Sequence, residues 1–110
     1  MRLIIAYLHP EQLPAVKESL ANAGIQRFTV MTVLGTVPKA EQVMYRGVEH
    51  EISLANRLRI EVAAKASQVD GAMTAIAEGA KASGGHGLVL VAGLEDVLLV
   101  WDGKQGEDAL

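Results

Sequence analysis

The side chains able to do chemistry are few: three histidines, His9, His50 and His86, and the arginines Arg46, Arg57 and Arg59. No two histidines stand in an H-x-x-x-H or H-E-x-x-H spacing, so the chain offers no zinc-hydrolase signature. Glu49-His50-Glu51 is a small polar cluster, incomplete as a metal site, and it reads first as a solvated loop. Cysteine is absent. That excludes a thiol nucleophile, a disulfide framework and Cys-ligated zinc or iron–sulfur sites. There is no G-x-S-x-G elbow and no P-loop sequence. The run Gly84-Gly85-His86-Gly87 carries more information. Its glycines admit positive φ and let backbone approach a ligand closely, so its N–H groups can form a nest for phosphate. A tight helix-to-strand connection uses the same residues. In the phosphate reading His86, at the tip, donates a hydrogen bond to the anion. Arg57 and Arg59 lie two residues apart, and a guanidinium presents paired donors to phosphate or carboxylate. Set against that, they are surface arginines balanced by Glu61. Trp101, the lone tryptophan, suits a core, an interface or a stacking platform.

The elements that must position these residues follow from periodicity. Arg2 to Leu8 is a nearly continuous apolar run, which predicts a strand covered on both faces. A helix is expected from about Glu11 to Ala23, with Leu13, Val16 and Leu20 on one face, Pro14 near its start and Gly24 as its stop. Ile25 to Leu34 reads as a second strand rich in β-branched residues. Arg57 to Ala63 alternates, with Leu58, Ile60 and Val62 facing the core and Arg57, Arg59 and Glu61 on the other face. A second helix is expected from about Ser67, as N-cap, to Ala82, with Val69, Met73, Ile76 and Ala80 as its stripe. Leu88 to Ala92 reads as a fourth strand and Val97 to Trp101 as a short final one. Between the second and third strands, roughly from Thr36 to Ala55, no period is sustained. A loop of about 20 residues in so small a domain is uncommon and usually functional or disordered.

The order β-α-β, loop, β-α-β is the ferredoxin-like arrangement, an α+β fold with a four-stranded antiparallel sheet. Two helices cover one sheet face and leave the other open, which a symmetric oligomer usually covers. At 110 residues the chain is one domain, 1–110. Its net charge of −3 argues against nucleic acid as the partner. No stretch approaches the roughly 20 apolar residues that span a bilayer, so no membrane insertion is expected, and the N-terminal apolar run lacks a cleavage site. With no cysteine and no export signal, the expected compartment is the cytoplasm.

Over nearly its whole length the chain resembles a PII signal-transduction protein, more narrowly a divergent PII-like one. The resemblance rests on Arg2-Leu3-Ile4-Ile5-Ala6 through His9-Pro10, on Gly24-Ile25 and Thr29-Val30, and on Gly35. It continues through Tyr45-Arg46-Gly47, Arg59-Ile60-Glu61, Val69-Asp70 and Gly85-His86-Gly87. It implies a trimer of ferredoxin-like domains with a T-loop at about 36–55, a B-loop at about 82–88 and a C-loop at about 101–110. Adenine nucleotides would bind between subunits. Thr29, Arg59 and Glu61 would serve the nucleoside, Gly35 the T-loop base, and Gly85, His86 and Gly87 the phosphates, with Trp101 at the cleft. Arg46 and Arg57 are the anion-binding candidates. Lys39, Tyr45, Arg46 and His50 belong to the T-loop surface that docks on a target protein, such as a membrane transporter or an enzyme.

The chain departs from the family where phosphate is gripped. Leu88 stands where the B-loop lysine is usual, and Leu99 and Trp101 stand where two C-loop arginines are usual. Each charge-assisted phosphate contact is worth about 1.5–3 kcal/mol. The resemblance therefore implies ADP, AMP or a cyclic nucleotide rather than ATP, or a small anion such as bicarbonate, which some carboxysome-associated PII-like members are tied to. No cofactor is required. The T-loop tyrosine that some members carry for uridylylation falls at His50, and Arg57 stands at the position of a 2-oxoglutarate-binding lysine. A non-enzymatic regulator is expected; the alternative is a constitutive interaction module with a vestigial nucleotide cleft. An enzyme lacks a complete nucleophile–base or metal constellation.

Overall fold

Alternation dictates the sheet. A computed structural model, describing residues 1–37 and 53–110, forms β1 from Arg2–Leu8, β2 from Thr29–Thr36, β3 from Leu54–Ala64 and β4 from Gly87–Gly93. All neighbours are antiparallel, in the order β2-β3-β1-β4. Because successive side chains point to opposite faces, Ile4, Ala6 and Leu8 of β1 and Leu58, Ile60, Val62 and Ala64 of β3 all turn to one side, where they are buried. Two helices, α1 (Leu13–Asn22) and α2 (Val69–Lys81), close that side. Val16 and Leu20 of α1 meet Ala72, Ala75, Ile76 and Ala80 of α2 in the same core. The second helix buries small residues, so it lies close to the first; a Cβ at Gly79 would come within 2.7 Å of the Val16 Cα. Met73, expected in the stripe, is only half-buried.

Both helices are entered through a 3-10 turn, Pro10–Gln12 and Ala66–Gln68. Each turn uses a glutamine to satisfy a free backbone donor. His9 N–H donates to Gln12 Oε1 at 2.8 Å, and Lys65 N–H donates to Gln68 Oε1 at 3.0 Å. The N-cap of α2 is therefore Gln68, and Ser67 lies within the preceding turn.

Three expectations about the elements are corrected. Residues 25–28 are not strand: Gly24 takes φ +82° and Ile25 N–H bonds back to Leu20 O at 2.9 Å. Ile25 is thus consumed in the C-terminal cap of α1, buried beside Leu20. Val97 to Trp101 does not join the sheet either. It folds against its own tail, with Leu99 N–H donating to Lys104 O (2.8 Å), Gly106 N–H to Val97 O (2.9 Å) and one bridge between Leu98 and Gln105. Lastly, β2 and β3 run into the segment assigned to the loop. Val37 N–H donates to Ser53 O at 2.9 Å, one step beyond the ladder.

Candidate functional site

The sheet face away from the helices carries the polar chemistry. Register sets Tyr7 of β1 opposite Arg59 of β3 on one side and opposite Leu88 of β4 on the other. Arg59 donates through Nη1 to Tyr7 Oη at 3.2 Å, and its guanidinium carbon stands 5.8 Å from the Tyr7 ring centroid. Its Nε lies 3.0 Å from Glu61 Oε1, two residues along the same face. Both side chains are about one-third exposed, so the pair adds little stability, on the order of 1 kcal/mol or less. The Arg59 Nε is buried and makes no hydrogen bond among the described residues, so the hydrogen bond to Tyr7 Oη is what orients the guanidinium, with Glu61 as a charge partner.

Arg57 is the next outward residue of β3, across from Val33 of β2. Its Nη1 donates to Asn56 O at 3.0 Å. The stem of Arg57 lies over Gly35, where a Cβ would come within 2.9 Å of Arg57 Cγ. Glycine at position 35 is thus needed for close approach.

The far end of the cleft is built by the glycine-rich turn. Gly84 and Gly85 take φ +100° and +74°, which sharply reverses the chain after α2. Gly87 takes φ +152°, and a Cβ there would meet Leu8 Cδ2 at 2.9 Å and Tyr7 O at 3.1 Å. Between them His86 stacks on His9, with ring centroids 5.3 Å apart and an interplanar angle of 18°. His9 Nδ1 lies 3.4 Å from Glu11 Oε1.

These groups enclose an open cleft of about 620 Å³, with Tyr7, His9, Arg57, Arg59, His86 and Leu88 among its walls and the end of β2 along one side. That volume suits a small organic ligand. The lining offers guanidinium and imidazole donors, and the nearby carboxylate of Glu61 is committed to Arg59. Such a set recognises anions.

Of the residues singled out from sequence, Gly35, Arg57, Arg59, His86 and Gly87 come together here. Glu61 joins through Arg59, and Gly85 shapes the turn. Thr29 pairs with Glu61 at the opposite end of β2 and does not line the cleft. Trp101 sits in the C-terminal turn, 83% exposed, outside the lining of this cleft within one chain. Lys39, Tyr45, Arg46 and His50 lie outside the described residues. Tyr7 and His9 were missed. The signal for Tyr7 was its outward position in β1, in step with the outward arginines of β3. Among the described residues, no group of three or more histidine, aspartate and glutamate side chains is placed to hold a metal ion.

A family model described as "Nitrogen regulatory protein P-II" matches residues 1–104. Nitrogen regulatory protein GlnK1 of Methanosarcina mazei is 32% identical over 114 residues, covering 100% of this chain and 97% of the relative. Nitrogen regulatory protein P-II of Rhizobium etli is 34% identical over 112 residues, covering the whole of both chains. Among solved structures, the crystal structure of Arabidopsis thaliana PII bound to citrate matches with a TM-score of 0.78 at 25% identity, covering 99% of this chain and 91% of that one.

Proposed function

The chain belongs to the PII family, whose members are regulatory proteins and not enzymes, and from that premise we propose a homotrimeric regulator that binds an adenine nucleotide with a short or internally esterified phosphate. ADP, AMP or a cyclic nucleotide is favoured over ATP, and a small anion such as bicarbonate is the further candidate. The ligand occupies the cleft of Arg57, Arg59 and the glycine-rich turn, completed by a neighbouring subunit. The T-loop, at about 36–55, then carries the signal to a target protein, with Lys39, Tyr45, Arg46 and His50 as its partner-binding residues. No described helix is long and apolar enough to cross a membrane, and the reading places the regulator in the cytoplasm, acting on a transporter or an enzyme.

One observation carries this reading. The cleft holds two oriented guanidinium groups, yet Leu88 lines it where a lysine is usual in the family. That set can neutralise one or two phosphate charges and is poorly equipped for a triphosphate. The citrate bound by the Arabidopsis relative supports an anionic ligand in this fold.

Titration calorimetry of the purified protein with AMP, ADP, ATP, cyclic AMP and bicarbonate tests the reading. Heat from AMP, ADP, cyclic AMP or bicarbonate, with ATP at least tenfold weaker, is the expected result. No heat from any of the five, singly or paired, leaves a constitutive interaction module instead.

A further inference from the structure

We propose that the C-terminal hairpin, residues 97–106, is a clasp whose tip, Val100 and Trp101, seats on the Leu88 and Leu90 surface of a second copy of this chain. The inference rests on the homotrimer reading. It adds what holds the copies together and which residue a neighbour brings to the cleft.

Val100 and Trp101 are 90% and 83% exposed. They stand at the tip of a turn, a place usually given to glycine, proline, asparagine, aspartate or serine. The turn does not need them. Leu99 N–H donates to Lys104 O at 2.8 Å and Gly103 N–H to Leu99 O at 2.9 Å. Lys104 N–H donates to Asp102 Oδ1 at 3.0 Å, and Gly103 takes φ +77°. Backbone bonds, an aspartate and a glycine close the turn, whatever two side chains ride on it. They also hold the tip in one shape before a partner arrives, which lowers the ordering cost of an interface. Tryptophan is among the residues that most often anchor one.

The tip has no seat on its own chain. β4 starts at Gly87, opposite Leu8 at the cleft, and ends at Gly93, opposite Arg2, about 20 Å away. The segment that follows is tied down twice at that far end. Leu94 N–H donates to Met1 O at 3.2 Å, and Leu110 lies beside Gly24, Val62 and Ala63. Leu88 stands at the other end, with Leu90 next along the same outward face. The two are 56% and 43% exposed. They offer an indole a surface with no charge to desolvate, and the contact removes apolar area on both copies from water. Tip and seat are different patches of one chain, so the contact is heterologous. Repeated from copy to copy, such a contact closes a ring or grows a filament, and a homotrimer is the ring. Pairing tip to tip would leave Leu88 and Leu90 in water. Seated on its neighbour, Trp101 becomes part of the wall of that neighbour's cleft, which Leu88 lines.

The chain has one tryptophan and no cysteine, so a fluorescence probe and a cross-linking probe each report a single place. In the full chain, at a concentration where sedimentation shows a trimer, Trp101 should emit at shorter wavelength than free tryptophan and resist quenching by acrylamide. Trp101→Ala should weaken assembly about thirtyfold with circular dichroism unchanged, and Trp101→Phe should restore most of it. Leu88→Cys combined with Trp101→Cys, treated with a short bis-maleimide where it too sediments as a trimer, should give covalent trimers on denaturing electrophoresis. Trp101→Cys alone should give no cross-linked species. A trimer whose tryptophan emits as in water, or whose double variant stays uncross-linked, overturns the clasp and leaves the homotrimer standing. Cross-linked dimers from Trp101→Cys alone overturn it in favour of tip-to-tip contact. A chain that sediments as a monomer at every concentration overturns both the clasp and the homotrimer.

Discussion

Leu88 is the residue on which the ligand range proposed for the cleft turns. It points outward from β4 opposite Tyr7, is 56% exposed and lines the cleft. With a leucine there, the described lining of the cleft offers guanidinium and imidazole donors and no lysine. Leu88→Lys is expected to raise ATP affinity about tenfold, as one charge-assisted phosphate contact of about 1.5–3 kcal/mol predicts. AMP affinity should stay within about twofold, because in the proposed reading the arginines meet its single phosphate. Competitive titration of the two nucleotides measures this, and an unchanged ATP affinity would show that the polyphosphate path is closed by something other than missing charge. Residue types made this much legible before any fold was known: arginines two apart on a strand and a histidine among glycines. His9 was not legible. A histidine before a proline reads as the end of a strand, and only the packing of the turn onto the end of β1 brings His86 beside it.

At the scale of elements, the cleft depends on two helices that never touch it. Gly79 is where α2 presses on α1, with no room for a Cβ against the Val16 backbone. Gly79→Ala must push the helices apart and should destabilise the fold by about 1–3 kcal/mol. A drop in Tm of several degrees in thermal unfolding checks it, roughly 4–8 °C per kcal/mol for a domain of this size. Gly71, also within α2, has open space at its Cβ position. Gly71→Ala should therefore stabilise by about 0.5–1 kcal/mol through helix propensity alone. Opposite signs from the same substitution on one helix separate packing from propensity, and like signs would refute the close-packing account. The strands β1 and β3 were legible because burial of one face imposes period two on them. Ile25 and the 97–101 run misled for a shared reason. An apolar, β-branched stretch reports that a residue will be covered, without saying by what. Ile25 is covered by its own helix. Leu98, Val100 and Trp101 stay exposed in the single chain.

That exposure continues across the molecule. The helix-free face of the sheet carries Leu88 and Leu90 from β4 and Met31 from β2, all substantially exposed, around the partly buried Ile5 and Tyr7. An apolar sheet face of this kind is seldom left in water, and the homotrimer proposed for this chain would supply its cover. Leu90 lies opposite Ile5 in the register and is 43% exposed. Leu90→Glu costs the isolated chain little, since the position already meets solvent. In an assembly it forces a carboxylate into an apolar contact without a partner, which is strongly unfavourable. The variant should therefore sediment as a folded monomer with unaltered circular dichroism. Its melting temperature should lose the concentration dependence that an assembling protein shows. Nucleotide affinity should fall at least tenfold, because a cleft completed by a neighbour is left with one wall. A monomeric variant that binds nucleotide as well as the parent would place the whole site within one chain. The cleft of Arg57, Arg59, His9 and His86 would then be the entire binding surface, and the subunit contacts would be left with structural work only.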